Sequence, residues 1–153
     1  MIEAGTNEKG MVKVRLRDIT GSFVETSWAK PIRDDLYSIE NSPFFAYAVS
    51  FEDVVEARTG ADDVLEYVRC VKKSGNKTVR IIFQQYTSDD PRAQAILRGL
   101  RELRCSYEGM QPRMISVNVP PDVALANVTD YLNEQRGMAW EYADPTYEQL
   151  GLP

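Results

Sequence analysis

The stretch that decides the fold runs Leu36-Tyr37-Ser38-Ile39-Glu40-Asn41-Ser42-Pro43-Phe44-Phe45 and continues through Ala48-Val49-Ser50-Phe51-Glu52-Asp53-Val54-Val55-Glu56-Ala57. Tyr37 and Ile39 alternate with polar neighbours, the period of a strand with one buried face. Pro43 has no backbone donor, so a hydrogen-bonded ladder ends there. Phe44 and Phe45 are too apolar to stay wet, so the loop that carries them must fold back onto a core. The reading is strand, proline-interrupted aromatic loop, strand, and it contains no reaction centre.

The preceding and following segments carry the same β signature. Val12, Val14 and Leu16 alternate with Lys13, Arg15 and Arg17. Asp18-Ile19-Thr20-Gly21-Ser22 is a turn signal. A strand runs from about Phe23 to Ala29, with Trp28 near its end, and Pro31 breaks it. Asp34-Asp35 turns the chain into Leu36. Val54 to Ala57 and Leu65 to Val71 are strands joined through Thr59-Gly60-Ala61-Asp62-Asp63. Short strands with tight turns predict a small β-barrel over residues 11–76, preceded by a mobile tail at residues 1–10.

The periodicity changes after Lys72-Lys73-Ser74-Gly75-Asn76. Thr78 to Gln84 is a strong strand. Asp90 and Pro91 start a helix as N-cap and first-turn residue, and Ala93, Ile96, Leu97, Leu100 and Leu103 recur at helical spacing. A short strand around Cys105 to Glu108, a turn at Gly109-Met110-Gln111-Pro112, and a strand from Met114 to Val119 follow. Pro120-Pro121-Asp122 opens a second helix with an apolar stripe of Ala124, Leu125, Val128, Tyr131 and Leu132, which Gly137 is placed to cap. Ala139-Trp140-Glu141-Tyr142 is the last strand. The order is β-α-β-β-α-β, the ferredoxin-like pattern, over residues 77–145, with a tail at 146–153. The predicted class is α+β: a small N-terminal β-barrel followed by a ferredoxin-like domain.

Composition narrows the function classes. A chain of 153 residues can bury roughly two thirds of its unfolded surface without a disulfide or metal. No apolar run approaches the roughly 20 residues of a membrane span, and the first ten residues lack a signal-peptide core. The expectation is a cytoplasmic protein with no membrane partner. The net charge is −5 and the pI is near 4.8. Such a surface repels a phosphate backbone, so no nucleic-acid partner is expected, and it attracts a basic protein. There is no histidine, which removes the usual general base near neutral pH, the Ser-His and Cys-His pairs and most zinc sites. Cys70 and Cys105 are far apart, form no CxxC motif, and fall at apolar-patterned positions, so both read as inert buried thiols.

Several motifs are similar to those of a bacterial family, domain of unknown function 4265. They are Trp28-Ala29-Lys30-Pro31, Tyr37 to Phe45, Ser50 to Ala57, Val117-Asn118-Val119-Pro120-Pro121 and Trp140-Glu141-Tyr142. The likeness spans about Val12 to Tyr142. It implies no assigned activity, cofactor or catalytic residue. Small orphan families of this kind often include immunity proteins that neutralise antibacterial toxins.

The remaining candidates divide between chemistry and structure. Asp34-Asp35, Asp62-Asp63 and Asp89-Asp90 resemble cation sites, but adjacent aspartates point apart, and each pair stands where a turn or cap needs one. Thr78, Arg80, Ile82 and Gln84, with Met114, Ser116 and Asn118, form an exposed sheet face that lacks the aromatic platform of RNA binders. Arg92, Arg98, Arg101 and Arg104 read as a solvated helix face. Trp140 and Tyr142 read as sheet packing against a helix. Trp28, Phe44, Phe45, Tyr47 and Phe51 are candidates for a pocket between the two halves, though core packing is the favoured role. Glu52, Asp53, Asp62 and Asp63 are candidate acidic contacts to a basic partner. The functional expectation is a non-enzymatic protein-binding module without cofactor or metal. Its partner would be a basic protein such as a toxin domain. The alternative is a small-ligand sensor with a pocket between the domains.

Overall fold

The computed structural model describes residues 7, 9–17, 20–22 and 24–153. The predicted amino-terminal tail, the Asp18–Ile19 part of the first turn and the Phe23 strand start lie outside the described residues or reach beyond them. Strands β1 (Val12–Arg17), β2 (Val24–Arg33), β3 (Leu36–Ile39), β4 (Val54–Thr59) and β5 (Leu65–Lys72) close into a barrel. Consecutive strands pair antiparallel. The barrel is completed by a parallel pairing of β1 with β5 through Val14↔Leu65 and Arg15↔Glu66. Period-2 alternation sends Val14, Leu16, Ala29, Ile39, Val55 and Ala57 into its core. The outward Arg15 bridges Asp62 at 2.8 Å and Glu66 at 2.7 Å.

Pro31 does not end β2, which continues to Arg33. The last β1–β2 pair is Val12↔Ala29, so beyond it β2 borders β3 alone. A missing N–H is tolerated on such an edge, and the register shifts between Pro31 and Arg33.

The second half follows the order β6 (Lys77–Phe83), α1 (Pro91–Glu102), β7 (Ser106–Gln111), β8 (Met114–Val119), α2 (Leu125–Asn133) and β9 (Met138–Asp144). Its four strands lie in the order β7-β8-β6-β9, each antiparallel to its neighbour. The Asp90 side chain caps α1 by accepting from Arg92 N at 2.9 Å. Ala93, Ile96, Leu97 and Leu100 of α1 and Val128 and Leu132 of α2 bury against Val79, Ile81, Phe83, Ile115, Val117 and Val119. A Cβ at Gly99 would strike Tyr131, and Tyr131 Oη instead donates to Ile96 O at 2.9 Å. The absence of a side chain at Gly99 lets the helices meet. Trp140 and Tyr142 stack edge-on at 4.9 Å between ring centres on this same core.

Gly137 is not the cap of α2. That helix ends at Asn133 with Glu134 at its C-cap. Gly137 has φ +79 and leads into β9, where its carbonyl accepts from Gln84 N at 2.8 Å. A left-handed residue there re-aims the chain into the sheet.

The sheet face opposite the helices is not exposed where Thr78, Arg80, Ser116 and Asn118 stand. All four are buried. Residues 40–53, between β3 and β4, are laid across it. Ser116 Oγ donates to Pro43 O at 2.8 Å, and Arg80 donates to the carbonyls of Pro43 and Ala46. The barrel holds the same loop from its other side. The Glu25 carboxylate accepts from Phe44 N at 2.9 Å and from Phe45 N and Ala46 N at 2.8 Å each.

Candidate functional site

The loop and the sheet meet in two polar regions, and these hold the groups with chemical potential. The first surrounds Lys73, just past β5. Its Nζ donates to Asp144 Oδ2 at 2.6 Å, to Ala48 O at 3.1 Å and to Asp53. Asp53 also accepts from Ser50 N at 2.9 Å and Ser74 N at 2.8 Å. Ser50 Oγ donates to Asp144 at 2.6 Å and lies 2.7 Å from Thr78 Oγ1. A serine, a lysine and two carboxylates in contact resemble a nucleophile with its base. The electrostatics argue otherwise. Burial alone would push the Lys73 amine down, but the hydrogen bonds of Asp144 and Asp53 outweigh it and hold the amine above its ordinary value. A lysine kept protonated does not accept a proton from serine. Ser50 and Thr78 are fully enclosed.

Arg80 is the second anchor, 2% exposed. Burial pulls its guanidinium down from the usual value, and Glu141 and Tyr47 oppose that pull. It lies 4.8 Å from the centre of the Tyr47 ring, and Tyr47 Oη donates to Glu141 Oε2 at 3.0 Å. Burial, then the Glu141 charge, push the Tyr47 hydroxyl up.

The second polar region is a partly enclosed cleft of about 90 Å³ between the loop and β7–β8. Glu40, Ser42, Phe51, Ser106, Tyr107, Glu108 and Asn118 line it. Glu108 accepts from Asn41 Nδ2 at 2.9 Å and from Ser42 N. A wider depression of about 300 Å³ lies beside Lys73, lined by Glu52, Val54, Lys72, Lys73 and Ser74.

The candidate acidic contacts are not assembled into one patch. Glu52 and Asp53 precede β4, and Asp62 and Asp63 follow it, at the opposite end of the strand. Six residues of strand span about 20 Å. Asp53 is 0% exposed and is committed to Lys73, so it is removed from the surface set. Glu52 and Asp63 are exposed in turns at φ +66 and +60. The Arg15 hydrogen bond holds the Asp62 carboxyl below its ordinary value. The candidate pocket aromatics are also dispersed. Trp28 is on the outside of the barrel beneath Lys13, whose Nζ is 5.1 Å from the ring centre. Phe44 and Phe45 are half-buried in the loop, and Tyr47 lies against Arg80. Of the five, Phe51 alone lines the junction cleft, with Tyr107 as the other aromatic there.

Sequence reasoning missed Glu25, Glu40, Ser42, Lys73, Glu108 and Asp144. A usable signal existed only on the polar face of β8, where Ser116 and Asn118 alternate with Ile115, Val117 and Val119. The two cysteines are free. Burial pushes the Cys105 thiol up to about 11 and also raises that of Cys70, which disfavours the reactive thiolate. Among the described residues, no helix is long and apolar enough to cross a membrane.

The model of a family described as a domain of unknown function, DUF4265, matches residues 25–142. No curated protein matches. The fold is similar to that in the crystal structure of a hypothetical protein from Neisseria gonorrhoeae, with a TM-score of 0.71 and 22% identity, over 86% of this chain and 91% of that one.

Proposed function

The chain belongs to the DUF4265 family, and from that premise we propose that it is a non-enzymatic, cytoplasmic module that binds a basic protein. We read its second half, with strand order β7-β8-β6-β9 and two helices, as a ferredoxin-like arrangement. The observation that carries the functional reading is the junction. Ser50, Thr78, Asp53 and Asp144 are all buried there, and Lys73 is held charged. Groups suited to bond-breaking are spent on joining barrel to sheet, which leaves an acidic exterior of net charge −5 for recognition. In its narrower form the reading is an immunity protein that covers the basic active site of a bacterial toxin. Glu52, Asp62 and Asp63 then act as separate contacts rather than one cluster.

The test is complex formation with the basic product of an adjacent gene. The expected complex is tight at low salt and weakens steeply as salt rises. Turnover of a substrate that is lost in Ser50→Ala while the variant stays folded would overturn the reading.

The junction cleft favours a second reading, a small-ligand sensor. It is partly enclosed, lies between the halves and is lined by convergent polar groups. A ligand that binds only the folded state raises the melting temperature in proportion to the logarithm of its excess over Kd.

A further inference from the structure

Among the described residues, buried side-chain hydrogen bonding is left incomplete at the junction cleft. Ser42 is 2% exposed and Asn118 is 6% exposed. Ser42 Oγ and Asn118 Oδ1 have no hydrogen-bond partner among the described residues. Each such orphan costs about 1–3 kcal/mol, and native folds carry few. The two residues come from opposite sides of the junction, one from the loop after β3 and one from β8. Both line the same cleft.

Charge in the cleft is also unbalanced. Its lining includes the carboxylates of Glu40 and Glu108 and no lysine or arginine. Among the described residues, no ion pair reaches either carboxylate, and Glu108 accepts only from the neutral Asn41 and Ser42 donors. Arg101 lies over Tyr107, 5.2 Å from the ring centre, and donates to its hydroxyl. Tyr107 therefore supplies wall rather than charge. The lining residues carry two carboxylates, the Ser42 and Ser106 hydroxyls and the Asn118 amide oxygen, with two aromatic side chains beside them. It lacks a donor of positive charge.

We propose that this cleft binds a guanidinium group, presented by an arginine side chain of a basic protein partner. The proposal rests on the partner reading above and names the group that partner offers. A guanidinium is flat, permanently charged and carries five N–H donors, one for each of the five acceptor groups. An ammonium has three donors and leaves two acceptor groups unmet. A divalent cation lacks ligands, since no group of three or more His, Cys, Asp or Glu is gathered among the described residues. An anion meets two carboxylates. Water, of which the volume holds about three molecules, satisfies Ser42 and Asn118 but leaves both carboxylates unneutralised.

The test is an amide NMR titration of the full chain with methylguanidinium, with an arginine-containing basic peptide, and with the same peptide carrying neutral citrulline. The expected result is saturable shifts at Ser42, Ser106 and Asn118 with the first two, none with citrulline, and tighter binding of the peptide. Glu40→Gln weakens the peptide about tenfold or more, the loss of one charged hydrogen bond. Ser42→Ala also weakens it while leaving the free protein equally or more stable, because it removes an orphaned hydroxyl. A merely structural serine would lower both. Absence of saturable shifts at these three residues overturns the proposal, as does equal binding of the citrulline peptide. So does a crystal soaked in methylguanidinium that shows ordered waters alone. Methylguanidinium binding as tightly as the peptide overturns the partner side chain as the source and assigns the cleft to a free guanidinium compound. A basic protein bound equally well by wild type and Glu40→Gln sinks this inference and spares the partner reading. Guanidinium binding without any protein partner does the reverse.

Discussion

The second sheet is buried by opposite means on its helix face and on the part of the other face where Thr78, Arg80, Ser116 and Asn118 stand, beyond which Ile82 is 48% exposed. On one face, Val79, Ile81 and Phe83 of β6 meet α1 and α2 in a dry apolar core. On the other, Thr78 and Arg80 of the same strand meet residues 40–53 through hydrogen bonds and charge. The apolar face is held by contact area, which is forgiving of direction. The polar face is held by specific pairs, each of which becomes a liability when its partner is lost. Alternation along a strand therefore separates apolar from polar, but it does not separate buried from exposed.

The comparison can be attacked from either side. Arg80→Met keeps most of the volume and strands the carbonyl of Ala46, whereas Pro43 O keeps the Ser116 hydroxyl and Glu141 keeps the Tyr47 hydroxyl. It should cost about 1–3 kcal/mol in urea unfolding, the penalty of the orphaned buried acceptor. It should also speed hydrogen exchange at the Phe44, Phe45 and Ala46 amides while leaving the α1 amides protected. Leu100→Ala, on the apolar face, should cost about 2–5 kcal/mol through lost transfer energy and a cavity. There the exchange of α1 rises and that of the loop does not. If both variants loosen the same amides, the two faces are not separable.

Lys73→Met leaves Asp53 and Asp144 buried without their cation, at a cost of about 3 kcal/mol at neutral pH. In wild type the Lys73 amine is held above its ordinary value, so its contribution is complete below that value and is lost as pH rises through the raised one, as thermal melts against Lys73→Met would show. Gly99→Ala forces Tyr131 off Ile96 O and should cost about 1–3 kcal/mol of helix packing. The smallest effect belongs to Asp90. The Arg92 side-chain hydrogen bond and then the Arg92 N–H hold its carboxyl at about 2, against an ordinary value of 3.8. Its stabilising contribution is complete above the ordinary value and is lost as pH falls through about 2. Wild type and Asp90→Asn should therefore differ by a constant amount at mild pH and converge in strong acid.

Legibility in the sequence followed the same division. β8 and the start of α1 stand where periodicity and capping place them, because their signals are local. The Pro31 break fails because the cost of a proline depends on which side of the strand is paired, and that is set by β1 ending opposite Ala29. Asp53 reads as a surface acid because its cation is twenty positions away at Lys73. The cleft was illegible because Glu40 and Ser42 meet Glu108 and Asn118 only after the loop crosses the sheet. Orphaned atoms are a property of three-dimensional neighbours and leave no mark on spacing.

The seam between β1 and β5 has a kinetic consequence. It joins Arg15 to Glu66 across 51 positions with two residue pairs in register. Hairpins between successive strands assemble quickly, whereas ring closure across so long a span pays its chain entropy before much contact rewards it. The ring should zip shut late during folding and be the first place to breathe in the native state. The arginines and acids on its outer side act as a latch whose grip loosens in salt.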